Sequence, residues 1–415
     1  MIYILVLPLK TIMPKVFTFK VFSWSLFDLG NTAYSALVIT LFFPVFIKNY
    51  LHGDELMISL VIGLSLAFAS LLVPFIGGIS DATNIKRPFL ILFSITTMFF
   101  VILIGYFTNL YLALIFAFIA NLSYHTSLDI YDSYITDITT EKNYGVVSGF
   151  GTAIGYVGTI LSLIMAWHIM SIFGWDTLMG VRMIFPATAI FFLIFAIPIY
   201  FIKDKTNGRK LSEGVFISFS ELKKTILGIK KYHNIWKFLV ASFFYTGALN
   251  TAIAFLFLFG QEELNMSLKT FFPIFMMMAI SAAIGAFLFG HISDLIGPKK
   301  SLISAILLWI SVITSLIIIP NIYTYLMTGM VGGALLGAIW TSTRPMLIKI
   351  SPPEKLTELF GFQGLTEKTG GLTILVYGAL AVWGGHRLAL SSILFFFVIG
   401  LILLMTVKEE IIVKD

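Results

Sequence analysis

Apolar runs of about 20 residues recur along the whole chain, separated by short polar breaks. Within each run the apolar positions are continuous and do not alternate with polar ones. Runs of roughly 17–25 residues match the length a helix needs to cross a bilayer. Lipid permits only structures that satisfy their own backbone, either helices or closed barrels, and the absence of alternation selects helices. About twelve spans are predicted, at 23–47, 58–79, 88–107, 111–134, 146–169, 183–202, 235–259, 271–290, 301–319, 322–343, 358–382 and 388–407. The pattern changes once. From Lys203 to Lys237 there are nine Lys/Arg and few long apolar runs. This predicts an N-terminal six-helix bundle over 1–202, a cytoplasmic linker over 203–234 and a C-terminal six-helix bundle over 235–415, with a short amphipathic helix around 215–231 of the linker.

Composition agrees. Of 415 residues, 58% are hydrophobic and 12% charged, more apolar surface than a soluble fold of this size can hide. The net charge of +6 is a matter of topology rather than nucleic-acid binding. With the N-terminus inside, 22 Lys/Arg fall in tails and inner loops and four in outer loops, namely Lys48, Arg182, Lys269 and Arg387; Lys368 lies within a span. Lys and Arg prefer the cytoplasmic side, so both termini are expected there, in a prokaryotic inner membrane. There is no cysteine, and the six histidines lack ligand-like spacing, so no metal or cofactor is expected. No phosphate-binding G-x4-GK(S/T) loop appears that would power a pump.

The two halves echo each other. "GGISDATNIKR", 77–87, follows the second span and "GHISDLIGPKK", 290–300, follows the eighth, matching Asp81 to Asp294. "NTA" occurs at 31–33 and again at 250–252, in the first span of each half. Paired six-helix halves are a transporter signature. The first echo resembles the cytoplasmic loop motif of the major facilitator superfamily. The resemblance implies an all-α membrane protein of twelve transmembrane helices in two pseudo-symmetric six-helix bundles. It also implies that Asp81 and Asp294 cap or pair at a neighbouring helix end and latch the outward-facing state, while Lys86, Arg87, Lys299 and Lys300 hold the loop at the headgroups. Small residues that permit close helix approach recur in spans 2 (Ser59, Gly63, Ala67), 5 (Gly151, Gly155, Gly158), 8 (Ser281, Ala282, Gly285, Ala286, Gly290), 10 (Gly329, Gly333, Gly337) and 11 (Gly361, Gly364, Gly370, Gly371). In this superfamily spans 2 and 11, and 5 and 8, cross between the halves; the tenth-span set fits packing within a half.

Further stretches are similar to a narrower branch, the vacuolar amino-acid effluxers linked to autophagy and their bacterial relatives, grouped as unknown major facilitators. "FDLGNTAYSALVITLFFPVF" carries the matching Asp28, Asn31, Phe43 and Pro44, with Leu29 where Trp is usual. "YDSYITDI", 131–138, matches at Asp137, with Thr136 in place of Pro and Asp132 in place of Asn. "SGFGTAIGYVG" at 148–158, "TRP" at 343–345 and "LFGFQGLTEKTGG" at 359–371, with Phe360, Gly361 and Lys368, complete the resemblance, which spans nearly the whole chain.

Ionisable groups inside a membrane mark function by default. Asp28 lies about five residues into the first span, with Asn31 and Ser35 on its face, a candidate coupling or gating acid or a partner for a helix end. The second half has Gly247 at the equivalent place. Asn121, His125, Asp129 and Asp132 fall within about 80° of one face of the fourth span, a polar stripe facing the cavity or the first span, with Asn121 and His125 the deeper members and Asp129 and Asp132 near the cytoplasmic end, where ordinary interfacial residues also sit. Glu367 and Lys368 sit near the middle of the eleventh span, about 100° apart, with Gln363 on the face of Glu367 and Gly370 and Gly371 leaving that face open to a ligand or a helix. A cation and an anion at mid-membrane suit a zwitterion, with Lys368 receiving a carboxylate and Glu367 or Asp28 an amine; they equally suit a structural ion-pair network. Asn250 echoes Asn31, and Arg344 is a gate or headgroup contact. Tyr34, Tyr124, Tyr156, Tyr245 and Trp340 are candidates to line a pocket.

The expectation is therefore a monomeric secondary transporter, not an enzyme, moving a small organic solute, amino acids first, by alternating access, with efflux or proton coupling. An exporter of lipophilic drugs or lipids is the rival within the class. A membrane enzyme or sensor is the rival outside it; His125 with Asp129 is the only catalytic fragment, and no nucleophile is tied to it.

Overall fold

Each apolar run closes into a helix, because in lipid its own carbonyls are the only partners for its amides. A computed structural model describes residues 16–83, 85–140, 143–204, 215, 233–351 and 356–409, without the side chains of residues 74, 78, 81, 82, 144–146, 356–358 and 361. The amphipathic helix expected around 215–231 lies outside the described residues, Val215 apart. The helices are α1 (Phe19–Tyr50), α2 (Glu55–Thr83), α3 (Arg87–Tyr106), α4 (Leu110–Ser133), α5 (Tyr144–Phe173), α6 (Leu178–Ala196), α7 (His233–Leu264), α8 (Leu268–Ile296), α9 (Pro298–Ile318), α10 (Ile322–Ile350), α11 (Leu356–Gly370) and α12 (Thr373–Thr406). Side-chain caps fix several starts. Thr18, Asn109, Thr177, Ser267 and Asn321 each accept a hydrogen bond from the backbone N–H three residues on.

α1 is not a regular α-helix throughout. After Phe19–Ala33 it widens into π-type turns over Tyr34–Phe42 and Phe46–Tyr50. The Thr40 hydroxyl donates 2.9 Å to the carbonyl of Ser35, five residues back. Such wide turns are rare and concentrate at functional sites.

Eleven stretches among the described residues are long and apolar enough to cross a membrane, where twelve spans are expected. The difference lies in the last, Phe362–Thr406. A straight helix of that length would be about 68 Å long, twice the hydrocarbon core. It is folded back at Gly384 and Gly385, where Gly385 has φ 81° and ψ 169°. Gly370 and Gly400, on either side of this break, both pack against residues 241–247 of α7. α11 with residues 373–383 therefore makes one crossing and residues 386–406 the next.

The small residues do seat close helix contacts, but not all where the family pattern placed them. Gly63 of α2 abuts Ile374 and Leu375, and Gly378 abuts Ser59, so the second and eleventh spans cross between the halves. The α5 and α8 sets are a correction. Gly151, Gly155 and Gly158 face Trp24, Asp28 and Leu29 of α1, and Gly285 faces Ala334 of α10, all within one half. Gly333 and Gly337 return the contact to Met278, Ala282 and Ala286 of α8. The fifth and eighth spans do meet between the halves, and aromatic rings are among the links: Phe272 of α8 lies 6.2 Å from Trp167 of α5 and 5.4 Å from Trp175 just beyond it, ring centre to ring centre.

Two arginines repeat one device. Arg182, starting α6, donates 2.7 Å to the carbonyls of Gly105 and Tyr106 at the end of α3. Arg387 donates 2.8 and 3.4 Å to those of Ile317 and Ile318 at the end of α9. Both satisfy helix carbonyls that have no partner within the helix. The opposite, lysine-rich end carries Lys203, Lys299, Lys300, Lys349 and Lys408. There a side chain placed at Gly77, Gly149, Gly290 or Gly364, of α2, α5, α8 and α11, would meet nothing within 4 Å among the described residues. None of these four glycines seats a helix contact among the described residues, unlike Gly63 and Gly378 nearer the other end.

Candidate functional site

The helices enclose a cavity of about 390 Å³ between the halves. It is lined mainly by apolar and aromatic side chains, among them Ile39 and Leu66 from the first half and Phe255, Phe259 and Phe275 from the second. The polar groups on its wall include Ser35, Thr40, Tyr124, His125, Tyr156 and Asn250. Its size and mixed lining suit a small organic molecule.

Toward the basic end lie the charges. One turn along α4 from His125, Asp129 meets Lys368 of α11, whose Nζ lies 2.6 Å from Oδ2 and 2.7 Å from Oδ1. The pair is largely shielded, with the lysine side chain 13% and the aspartate 31% exposed, and it ties one half to the other. Glu367 points elsewhere and accepts 2.8 Å from the Gln363 amide one turn back. Gln363 is buried, and its own carbonyl oxygen has no partner among the described residues. Asp132 and Arg344 are exposed, near enough for the arginine charge to act on Asp132 and Glu367. Gly370 opens its face to a helix, not a ligand, because it packs on Phe243 and Gly247 of α7.

Asp28 sits in a separate web. The Asn31 amide donates 3.0 Å to its Oδ1, and the Tyr124 hydroxyl reaches Asn31 Oδ1 at 3.5 Å. The Tyr34 ring lies 4.3 Å from that of Tyr124, and its hydroxyl donates 3.4 Å to Asn121 Oδ1. Asn121 in turn donates 2.6 Å to Ser65 of α2. α1, α2 and α4 are thus joined by two sets of hydrogen bonds linked through the Tyr34–Tyr124 ring contact, and Asp28 faces Gly155, where a side chain would collide with its carboxylate. Of the two readings of Asp28, the pairing with a helix end is not seen among the described residues, where its hydrogen-bond partner is the Asn31 side-chain amide. In the second half Gly247 against Gly370 repeats the contact without the acid.

The expected gating residues divide. The side chain of Asp81 lies outside the described residues. Asp294 is exposed and makes no ion pair among them. Lys86 corrects the headgroup expectation: it is 8% exposed, bonds Asp137 at 2.6 Å and donates 2.9 Å to the carbonyl of Ser133 at the end of α4. The backbone N–H of Arg87 donates to both oxygens of Asp204, at 3.0 and 3.1 Å. Lys299 donates to the carbonyls of Met405 and Val407, again at a helix end. Of the aromatic candidates, Tyr124 and Tyr156 line the cavity, whereas Tyr245 is buried against Thr343 at 3.3 Å and Trp340 is 38% exposed.

Sequence reasoning missed a polar group at the end opposite the lysines, made of Lys48, Glu55, Glu262, Tyr377 and His386. The one signal in the sequence is a Lys and a Glu seven residues apart across a tight hairpin.

Residues 29–290 and 274–411 match the family described as the Major Facilitator Superfamily. The chain is 24% identical over 415 residues to a Bacillus subtilis (strain 168) protein named "Uncharacterized MFS-type transporter YxiO", across 96% of this chain and 97% of that protein. It is 25% identical over 287 residues to "Uncharacterized MFS-type transporter MJ1317" of Methanocaldococcus jannaschii, across 68% and 69% of the two. Among solved structures it superposes on nucleoside transporter NupG with a TM-score of 0.70 at 13% identity, covering 94% of this chain and 98% of that one. A bacterial homologue of the human lysosomal transporter Spinster, inward-facing and unoccupied, gives 0.68 at 15% identity, covering 93% and 95%. At these identities the structures establish a shared fold alone.

Proposed function

Because this chain belongs to the major facilitator superfamily, and is therefore a secondary transporter of a small solute, we propose that its solute is a zwitterion, amino acids first, carried by alternating access. The observation that supports this reading is the Lys368–Asp129 pair. A carboxylate entering beside it takes over Lys368, and an ammonium takes over Asp129. The solute then replaces a direct bond between the halves with two bonds through itself. Each charged hydrogen bond it gains offsets one it breaks, so a buried charge is never left alone. The rest of the molecule occupies the apolar wall formed by residues such as Leu66 and Phe255. His125 and Asn250 are positioned on that wall to accept or donate to the solute.

In this reading Asp28, with Asn31 and Asn121, is the coupling acid and takes or releases a proton as α1 moves against α4. Glu367 is the second acid of the cluster. Asp81, Arg87, Asp137, Asp294, Lys299 and Arg344 govern the basic end, which is the cytoplasmic one, with both termini on that side. The chain works as a monomer of two bundles, 1–202 and 235–415, joined by 203–234. Its stretches shared with the vacuolar effluxer branch favour export.

The mainly apolar lining of the cavity favours a second reading, an exporter of lipophilic compounds. A thermal-shift screen of purified protein against amino acids, peptides, nucleosides and lipophilic cations separates the two. A ligand held by the folded state at 100 times its Kd adds about 2.7 kcal/mol and raises the melting temperature. Stabilisation by a group of amino acids, lost in Lys368→Ala and in Asp129→Asn, is the expected result. Stabilisation only by lipophilic cations, unchanged in Lys368→Ala, overturns the zwitterion reading in favour of the second.

A further inference from the structure

At the end opposite the lysines, side chains from both halves meet in a cluster with a buried centre that the substrate site does not use, Lys48 and Glu262 forming its more exposed edge. Lys48, ending α1, bonds Glu55, starting α2. Its ammonium also lies 3.7 Å from Glu262 of α7. The same Glu55 oxygen lies 3.2 Å from Nε2 of His386, and His386 Nδ1 lies 2.9 Å from the Tyr377 hydroxyl. Glu55 and His386 are each 3% exposed.

The chemistry assigns the protons. An ionised carboxylate only accepts, so Nε2 carries hydrogen and donates to Glu55; in the neutral ring Nδ1 is then the acceptor for the Tyr377 hydroxyl. Tyr377 is fully buried and stacks on Phe255, ring centres 4.4 Å apart and planes 20° apart. Tyr377 and Phe255 both line the central cavity. A continuous polar chain therefore runs from Lys48, through Glu55 and His386, to the cavity wall.

This cluster holds the halves together at the end opposite the lysines, through Glu55 of the first half and His386 of the second. Opening the cavity here requires Glu55 to part from His386. Separating buried, charge-assisted partners one at a time leaves an uncompensated charge, so the contact opens as a unit. We propose that Lys48, Glu55, His386 and Tyr377 form the gate that closes this end of the cavity, and that Tyr377 ties the gate to the cavity contents. A solute that displaces the Tyr377 hydroxyl removes the hydrogen bond orienting His386 and loosens its hold on Glu55. The inference rests on alternating access and not on the class of solute.

The absence of cysteine makes the test direct. Ala36→Cys places one thiol on the cavity wall. Its labelling by a membrane-impermeant maleimide, presented at the gate end without any solute, reads gate opening. The parent should label slowly. Glu55→Gln and Tyr377→Phe should each raise the rate about tenfold or more, the loss of one charged or coupled hydrogen bond. Tyr377→Phe is the sharper variant, since it keeps the ring and touches neither Lys48 nor Glu55. Should Glu55→Gln fail to fold, judged by its melting curve, Lys48→Met takes its place, leaving the Glu55–His386 bond intact with a smaller rise expected. An unchanged rate in the Glu55 or Lys48 variant overturns the gate. An unchanged rate in Tyr377→Phe alone overturns its tie to the cavity. Because no solute is present, either result is separate from the outcome of the amino-acid screen.

Discussion

Lys368 and Asp129 show how a single contact can belong to both stability and transport. Each is a charge withdrawn from water by a protein that encloses it only in part. Removing one partner strands the other, and the loss is typically larger than the net worth of the pair. Lys368→Met or Asp129→Asn alone should therefore lower stability by roughly 1–3 kcal/mol. The double variant should recover much of that, giving a coupling of opposite sign in a double-mutant cycle of melting temperatures. Additive losses would mean that the pair is not made in the membrane-embedded protein. The sequence displayed Lys368 as a charge near mid-span, and Asp129 only as the member of a polar stripe that approaches the end of its span. Their partnership was not legible, because 239 residues separate them and no local period links α4 to α11. Asp28 and Asn31 lie at the other extreme. Three residues apart on one helix, they face the same way by geometry alone, and their 3.0 Å bond is the local contact that spacing allows.

Helix positions were readable to within a few residues because lipid sets both the length and the polarity of a span. Partners were harder. A small residue announces that something approaches closely and says nothing about which helix does. Gly285 is the clearest case. It belongs to a set expected to face α5, yet a side chain there would lie 2.2 Å from the carbonyl oxygen of Ala334 in α10. Gly290, five residues on in the same helix, has nothing within 4 Å of an added side chain among the described residues. Gly285→Ala should destabilise by about 1–3 kcal/mol, the usual result of forcing volume into a packed contact. Gly290→Ala should be neutral or slightly stabilising through helix propensity. Equal effects on melting temperature would overturn the α8–α10 contact. The break at Gly384 and Gly385 was anticipated from the polar gap in the hydrophobic pattern. The gate partners were not, since Glu55 and His386 lie 331 residues apart and each by itself is an ordinary residue at a helix start.

At the scale of the molecule, the asymmetry between the two ends carries the functional argument. One end is sealed by the Lys48–Glu55–His386 cluster and by Phe272 against Trp167 and Trp175. At the other, α2, α5, α8 and α11 each present a glycine with nothing within 4 Å among the described residues. In the orientation we propose from the lysine and arginine distribution, that end faces the cytoplasm. The resting protein should then expose its cavity inward. Gly364→Cys, alone in a chain that has no other cysteine, is a direct probe of this state. In inside-out vesicles a membrane-impermeant maleimide should label it rapidly, while in intact cells the same reagent should leave it unlabelled. Fast labelling in intact cells and none in inside-out vesicles would reverse the orientation. Slow labelling from both sides would mean that the empty protein rests with the basic end shut. The exposed Asp294 belongs to the same argument. An acid expected to latch the outward-facing state has no ion pair among the described residues, so Asp294→Asn should leave inward labelling of Gly364→Cys unchanged. The variant should act only once the gate is opened. In the Glu55→Gln background, adding Asp294→Asn should pull the population back toward the inward-open form and raise that labelling again.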